Sequence, residues 1–392
     1  MSFGRMPIAN RFLLPEEFPN EYFFELAPAF CNECNMFQLM EQPEPEAMFT
    51  AEYAFFSRTS RHMEQHFQHF ADQVCTDTLL GRSDPFVVEL GCNDGIMLQN
   101  FAEKGIRHLG VEPSKNVADV ARDRGMNVIS AFFSEGLAET IAREHGRADV
   151  ILAANVMCHI SDISSVAAGV SALLKDDGFL IFEDPYLGDV ISKTSYDQIY
   201  DEHVFVFSAL SVSRAFADHG LTLVDVIPQK THGGSMRYVL VPTGTCEPKS
   251  AVSELVKQEI SMGLGNPVTF ENFKMNCEQS RRELMKILEE LKADGKRVVG
   301  FGATSKSTTV INYCGITSEH IEFITDSTPI KQGKFTPGAH IPAKSHDAFA
   351  RNYPDFALLF AWNHKDEIMA NETEFTAGGG KWINYVPEVK IS

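Results

Sequence analysis

PFVVELGCNDGIMLQNFAEKGIRHLGVEP, from Pro85 to Pro113, decides the reading of this chain. The apolar run Phe86, Val87, Val88 and Leu90 predicts a buried strand. It leads into a turn holding Gly91, Asn93, Asp94 and Gly95, then a helical segment, then a second strand, HLGVEP, that reaches Glu112. Strand, glycine-bearing turn, helix and strand with an acid at its tip is the βαβ layout that binds nucleotides. The spacing puts the Glu112 carboxylate where a ribose would sit. E-x-G-x-N-D-G is not the dinucleotide G-x-G-x-x-G fingerprint. A plain tight turn would account for the glycines but not for an acid at the matching position.

The stretch resembles motif I of class I S-adenosylmethionine (SAM) methyltransferases. That resemblance implies that Gly91 and Gly95 let the backbone approach the methionine part, with Glu89, Asn93 and Asp94 in the same cofactor site, while Glu112 takes the ribose hydroxyls. Downstream, SKNVADVARDRG reads as a helix, MNVIS as a strand and LAETIAREHG as a helix. ADVILAANVMCHI reads as a strand ending near Asn155, with Cys158 and His159 just beyond. VSALLKDDGFLIFEDPYLGD supplies another helix, a turn at Asp176 to Gly178 and a strand ending in Glu183 and Asp184. Such alternation predicts an α/β fold with a mostly parallel, doubly wound, Rossmann-like sheet. Ligands bind such sheets outside the carboxyl ends of the strands, where the turn, Glu112, Asn155 and His159 converge. LTLVDVIPQKTHGGSMRYVL resembles the final antiparallel hairpin of that fold, turning at His232 to Gly234.

A chain of 392 residues has room for two or three domains with substantial cores. No apolar run is long enough to span a bilayer, and the N-terminus lacks a basic region followed by an apolar one. The expectation is a soluble, cytoplasmic protein with no membrane partner. A formal net charge of −19 without an offsetting basic stripe argues against a nucleic-acid partner. A nucleotide-linked small molecule remains open, since it needs only a few local cations and helix N-termini. The eight cysteines are scattered, which fits reduced thiols better than a disulfide framework.

The N-terminal segment, residues 1 to 52, carries one chemical signal, the C-x-x-C knuckle Cys31–Cys34 on a turn between FELAPAF and MFQLM. A structural zinc needs four ligands and this knuckle supplies two. His62, His66 and His69, at helical spacing, either complete such a site or decorate a helix face. Tyr53, Phe55 and Phe56 form an aromatic cluster that packs or lines a cleft.

Further on, Tyr200, Asp201, Glu202 and His203 are consecutive. Neighbours on a regular element point apart, so they converge on one pocket only from a loop. By itself the cluster reads equally as a solvated acidic turn. ELGCNDGIML, GVEPS, ANVMCHI, FEDPYLGDVISKTSYDQIYDEHVFVFS and HGGSMRY together resemble the sugar C-methyltransferases that act on nucleotide-linked deoxysugars. In particular they resemble the C-3 enzymes that add a methyl branch beside a 4-keto group. The similarity continues through GFGATSKSTTVINYCGI, PGAHIP, FAWNH and YVPEV, so it covers nearly the whole chain. It implies a small zinc-binding domain (1–52), a SAM-dependent methyltransferase domain (53–245), and a helical bridge with a C-terminal Rossmann-like domain (246–392). Members of that family usually carry an earlier C-x-x-C knuckle, and this sequence begins after that point. Cys31 and Cys34 are therefore half of the expected zinc set.

The resemblance assigns Tyr200, Glu202 and His203 to catalysis and makes Tyr53 and His159 sugar-facing. C-methylation requires a carbon beside a ketone to lose its proton and the resulting enolate to attack the methyl group in line. Such carbon acids are far weaker than imidazolium, so a base needs help from hydrogen bonds to the enolate oxygen. His203 is the expected base at C3, with Glu202 orienting its ring or holding a sugar hydroxyl. Tyr200, His159 and Tyr53 are candidate donors to O4 or nearby hydroxyls. In the C-terminal part, KRVVGFGATSKSTTVINYCGI repeats strand, glycine turn and helix but lacks the third fingerprint glycine, which is weak support for NAD. Gly302, Ser305 and Lys306, with Asn363 and His364 at the end of a later strand, are expected to hold the nucleotide diphosphate of the sugar. Lys306 reads alternatively as a solvated helix residue. O-methylation on the same scaffold, a non-catalytic binding protein and NAD-dependent oxidoreduction are the rival functions.

Overall fold

The N-terminal segment pairs its strands locally. β1 (Arg5–Pro7) lies antiparallel to β2 (Phe23–Glu25), and β3 (Pro28–Phe30) antiparallel to β4 (Phe37–Leu39). The computed structural model describes residues 1–49, 57 and 61–392, apart from the side chains of 47, 61 and 62. Tyr53 and its aromatic neighbours lie outside the described residues.

The methyltransferase-like motif forms the sheet that its sequence predicts. β5 (Phe86–Leu90), β6 (Arg107–Val111), β7 (Val128–Ile129), β8 (Ala148–Ala154) and β9 (Leu174–Pro185) run parallel. β5 is buried along its length, as an unbroken apolar run must be when helices cover both faces of a parallel sheet. Two of the intervening helices start on side-chain caps: Ser134 Oγ accepts from Leu137 N, and Asp162 Oδ1 from Ser165 N. The expected turn at Asp176 to Gly178 is instead part of β9. The register slips between Ala148 and Val150, so Leu174 and Phe179 pair with near neighbours while the residues between them bulge toward solvent. Lys175 and Arg147 tie that bulge down through Asp149 and Asp176.

β10 (Phe205–Val206) leaves this domain and pairs with β4 of the N-terminal segment. β11 (Leu221–Gln229) and β12 (Ser235–Pro242) form the closing hairpin, giving the order β11-β12-β9-β8-β5-β6-β7. Helices Ser250–Ser261 and Pro267–Ala293 follow, broken between them. Asn266 caps the second helix and Pro267 opens it. Phe273, Cys277, Leu284, Leu288 and Leu291 make its buried stripe.

A second parallel sheet closes the chain. It contains β13 (Val298–Phe301), β14 (Ile324–Thr325), β15 (Ala343–Lys344), β16 (Phe356–Leu359) and β17 (Lys381–Asn384), with β18 (Lys390–Ile391) antiparallel at its edge. One apolar core joins Phe24 and Phe37 of the N-terminal strands, Tyr196 and Ile199 of the middle, and Phe273, Val310 and Leu358 of the C-terminal part. Among the described residues no helix is long and apolar enough to cross a membrane.

The two large sheets meet at the β11–β12 turn. Asp197, fully buried, accepts from Trp362 Nε1 at 2.6 Å and Tyr385 Oη at 2.8 Å. Gly233 adopts a left-handed φ of +88°, and a Cβ there would lie 2.1 Å from the Trp362 ring. Gly220 has a similar φ of +71° in open space, so it isolates backbone strain from the clash. Gly220→Ala should cost about 1 kcal/mol. Gly233→Ala should cost clearly more, read as a lower urea midpoint of the transition that reports on the C-terminal sheet. Equal shifts would contradict this docking.

Candidate functional site

A cavity of about 980 Å³ opens where the carboxyl ends of the two large sheets face one another. Gly91, Asn93, Glu112 and Asn155 line it from the first sheet, Gly302, Ser305, Lys306, Asn363 and His364 from the second, and His159, Tyr200 and Glu202 between them. Glu89, Asp94, Gly95 and His203 are absent from its wall.

The first end is a backbone cradle. Gly91 donates its N–H to Val111 O at 2.7 Å with φ +60°, and a Cβ there would meet Val156 at 2.3 Å. Glu112 accepts from the N–H of Asn93 at 3.0 Å and of Ser114 at 2.8 Å, which fixes its carboxylate at the strand tip. Burial pushes its pKa up, and those two N–H bonds pull the other way. Asn155 has a left-handed φ of +60°, and its Oδ1 is buried with no hydrogen-bond partner among the described residues. Beneath the cradle, Glu89 is buried, with its pKa driven well up by desolvation and then by Asp94. Gly95, φ +76°, leaves room for Met126. A turn whose glycine brings the backbone to the cavity, an acid at ribose position and an unsatisfied amide oxygen fit SAM.

The middle of the cavity is the turn Tyr200–His203. Its residues diverge as well as converge. Tyr200 and Glu202 face the cavity, while Asp201 turns away and accepts from Ala9 N at 3.0 Å. His203 stands behind Tyr200, with Nε2 2.7 Å from the Tyr200 hydroxyl and Nδ1 2.6 Å from Gln198 O. A carbonyl oxygen only accepts, so Nδ1 carries the proton and Nε2 accepts from Tyr200 Oη–H. Gln198, not Glu202, therefore orients the ring. Glu202 Oε1 instead accepts from Asn10 Nδ2 at 2.6 Å. His159 stacks on His203 with ring centroids 5.4 Å apart, and its Nε2 is buried without a partner among the described residues. Burial lowers His159 to about 4 and lowers His203 well below its usual value, where the neighbouring His159 adds to the effect. Both rings are neutral at neutral pH. Burial raises the Tyr200 hydroxyl well above its usual value, so it stays protonated.

The far end is built for an anion. Gly302 has φ +91° and donates to Thr325 O at 2.8 Å. The helix Ser305–Cys314 begins here, with Thr304 Oγ1 accepting from Ser307 N at 3.3 Å. Lys306 is buried rather than solvated. Its Nζ reaches His232 O at 3.2 Å and Asn363 Oδ1 at 3.5 Å, and lies 5.3 Å from the Trp362 ring centre. Burial brings it down to about 8, against the pull of Asp197. A second buried cation, Lys331, also lines the wall, bonded to Ala303 O at 2.8 Å and set over Phe12. Lys331 has no motif around it in the sequence. His232, whose residue reads only as part of a hairpin turn, joins the lining because the turn docks on the second sheet.

Cys31 and Cys34 lie on the turn between β3 and β4, thiol beside thiol. Backbone N–H groups of that turn lower Cys31, while burial raises Cys34. Among the described residues no third metal-type ligand joins them. His66 is held instead by Glu183, and His69 is exposed on the helix Arg61–Asp77. The knuckle offers two thiols, and a structural zinc takes four ligands. Cys158, His159 and His203 bring ligand-type atoms within 4.8 Å of one another, but both His203 nitrogens are engaged as described.

Comparison with known proteins places these parts. Three family models match in succession: "Putative zinc binding domain" over residues 1–49, "Methyltransferase domain" over 61–226 and "C-methyltransferase C-terminal domain" over 230–387. C-methyltransferase NovU of Streptomyces niveus is 36% identical over 100% of this chain and 93% of its own length. A ubiquinone biosynthesis O-methyltransferase of Colwellia psychrerythraea (strain 34H) is 26% identical over 40% of this chain and 70% of its own. The magnesium protoporphyrin IX methyltransferase of Synechocystis PCC 6803 with bound SAM is 13% identical over 50% of this chain and 89% of that one, at a TM-score of 0.35.

Gly91→Ala places a methyl group 2.3 Å from Val156 at a left-handed backbone position. Titration calorimetry should show SAM affinity down at least tenfold. Unchanged affinity would remove this turn from the cofactor site.

Proposed function

The chain belongs to the C-methyltransferase family, and from that premise we propose that it methylates C3 of a nucleoside diphosphate 4-keto-6-deoxyhexose, using SAM. The supporting observation is the single cavity that joins a SAM-type cradle, a Tyr–Glu–His turn and a pocket with two buried lysines. SAM-dependent C-methylation is the family's activity, and the sugar, its position and the base are the proposal. The three-domain division at residues 52 and 245 belongs to the same reading.

Bound SAM supplies an electrophilic methyl group on sulfur. Gly91, Asn93, Asn155 and Glu112 bind and orient it. Lys306 and Lys331, with the helix N-terminus after Gly302, neutralise the diphosphate and set the sugar between the two sheets. Asn363 and His364 line the same end. His203 is the base. Its Nδ1–H is tied to Gln198 O, so the lone pair is on Nε2 and cannot be lost to the other tautomer. In the arrangement seen, that lone pair holds the Tyr200 hydroxyl. When the 4-keto oxygen arrives, the Tyr200 side chain shifts to donate Oη–H to it and uncovers His203, which stands behind it, so that Nε2 reaches the cavity and takes the proton from C3. One motion thus frees the base and supplies the donor that the enolate requires. A donor preorganised for such an oxyanion contributes about 2.7–4 kcal/mol in a dry site. Glu202 holds a sugar hydroxyl, and His159, neutral and buried, is a further donor to the sugar. Tyr53 keeps its place as a candidate from family resemblance alone.

The 4-keto function decides between C- and O-methylation, because only a carbon acidified by a neighbouring ketone forms the nucleophile. Mass spectrometry with SAM and a panel of nucleoside diphosphate 4-keto sugars should show a product heavier by one methylene, with NMR placing the methyl on C3. His203→Asn should lower turnover by about 10²–10⁴ and abolish deuterium uptake at C3 without SAM. Tyr200→Phe should lower methylation by about 10²–10³. Unchanged turnover in His203→Asn would overturn the assignment of the base, and a methyl on oxygen would overturn the reaction.

A further inference from the structure

We infer that Asn10, on the N-terminal segment, is a positioning residue of the active site that acts through Glu202. The inference rests on the catalytic place proposed for Glu202. Asn10 lines the cavity, and its Nδ2 donates to Glu202 Oε1 at 2.6 Å, across 192 residues of sequence. An amide group has no charge to lose, so this donor persists at every pH at which the protein is folded. A donor on one oxygen fixes the plane of a carboxylate, and so the direction in which its other oxygen meets a ligand.

The neighbouring contacts show that the placement of Asn10 is determined rather than incidental. Ala9 N donates to Asp201 Oδ1 at 3.0 Å, and Ala9 O accepts from Thr308 Oγ1 at 2.9 Å. Residues 9 and 10 are therefore held between the catalytic turn and the helix Ser305–Cys314. On the other side of the turn, β10 pairs with β4, and Leu39 N donates to Val204 O at 2.9 Å. The N-terminal segment grips Tyr200–His203 from both ends. Asp201, buried, is pushed well above its usual value by desolvation and by Glu202. Lys331, Tyr200 and Cys158 also sense the Glu202 charge. Asn10 Nδ2 bonds the Glu202 carboxylate directly, and Asn10 itself faces the cavity. The segment that matches a zinc-binding model thus also contributes to the catalytic wall.

The test is a double-mutant cycle on the full chain, with the nucleoside diphosphate 4-keto sugar turned over in the assay above. Asn10→Ala and the nearly isosteric Asn10→Leu, which keeps the shape and loses the donor without adding a charge, should each lower kcat about tenfold. The KM for SAM should stay within about twofold, and the urea midpoint of Asn10→Leu near that of the parent. In a Glu202→Gln background, Asn10→Ala should lower kcat by less than about twofold further, because the contact it serves is already lost. An equal factor in both backgrounds would make Asn10 independent of Glu202 and overturn the inference. So would a kcat for Asn10→Leu within twofold of the parent while Glu202→Gln is impaired. A fully active Glu202→Gln enzyme would remove Glu202 from the mechanism itself, and this inference with it.

Discussion

Everything proposed for this site depends on one backbone carbonyl. Gln198 O, 2.6 Å from His203 Nδ1, allows a single tautomer, and that tautomer leaves Nε2 as the acceptor for the Tyr200 hydroxyl. Burial then keeps the ring neutral. A base that is neutral, single in its tautomer and already bonded to the donor its product needs is what the chemistry at a weak carbon acid requires. Were Glu202 the partner of Nδ1, its charge would raise the imidazole and favour imidazolium. The structure gives that task to an uncharged group and leaves the carboxylate for the cavity.

A turn of four consecutive functional residues cannot support itself, and here three parts of the chain hold it. The N-terminal segment bonds Asp201 and Glu202 through Ala9 and Asn10 and pairs a strand with β10. The C-terminal helix contributes Thr309 Oγ1, which donates to Ile199 O at 2.9 Å. Trp362 and Tyr385 reach back to Asp197, just before the turn. The cavity is therefore a property of the whole chain. Its walls come from the carboxyl ends of two sheets, and in the proposed reading one holds the cofactor and the other the sugar's diphosphate.

Local pattern made much of this legible. The run through β5, its glycine turn and Glu112 predict the cradle because a βαβ unit encodes its ligand site within about thirty residues. The Gly302 turn and Lys306 are readable for the same reason. Asn10 is not, since its partner is 192 residues away and nothing in PIANRF marks an interior amide. Lys331 sits in an unremarkable turn, and its burial arises only when Ala303, just after β13, and Phe12 of the N-terminal segment come around it. The bulge in β9 is not legible because Lys175–Asp–Asp–Gly178 has the composition of a turn, while the pairing with β8 resumes beyond it in a shifted register. The cluster at Tyr200 was readable as residues but not as geometry. Family resemblance named the histidine, and the structure supplies its hydrogen bonds.

The most direct test of the central claim is the protonation state of one ring. Nitrogen-15 NMR of the histidine-labelled protein, with His203 assigned by its absence in His203→Asn, reads both the charge and the tautomer. The account predicts a neutral ring at neutral pH, protonated on Nδ1 and bare on Nε2. An imidazolium signal, or a proton on Nε2, would contradict it.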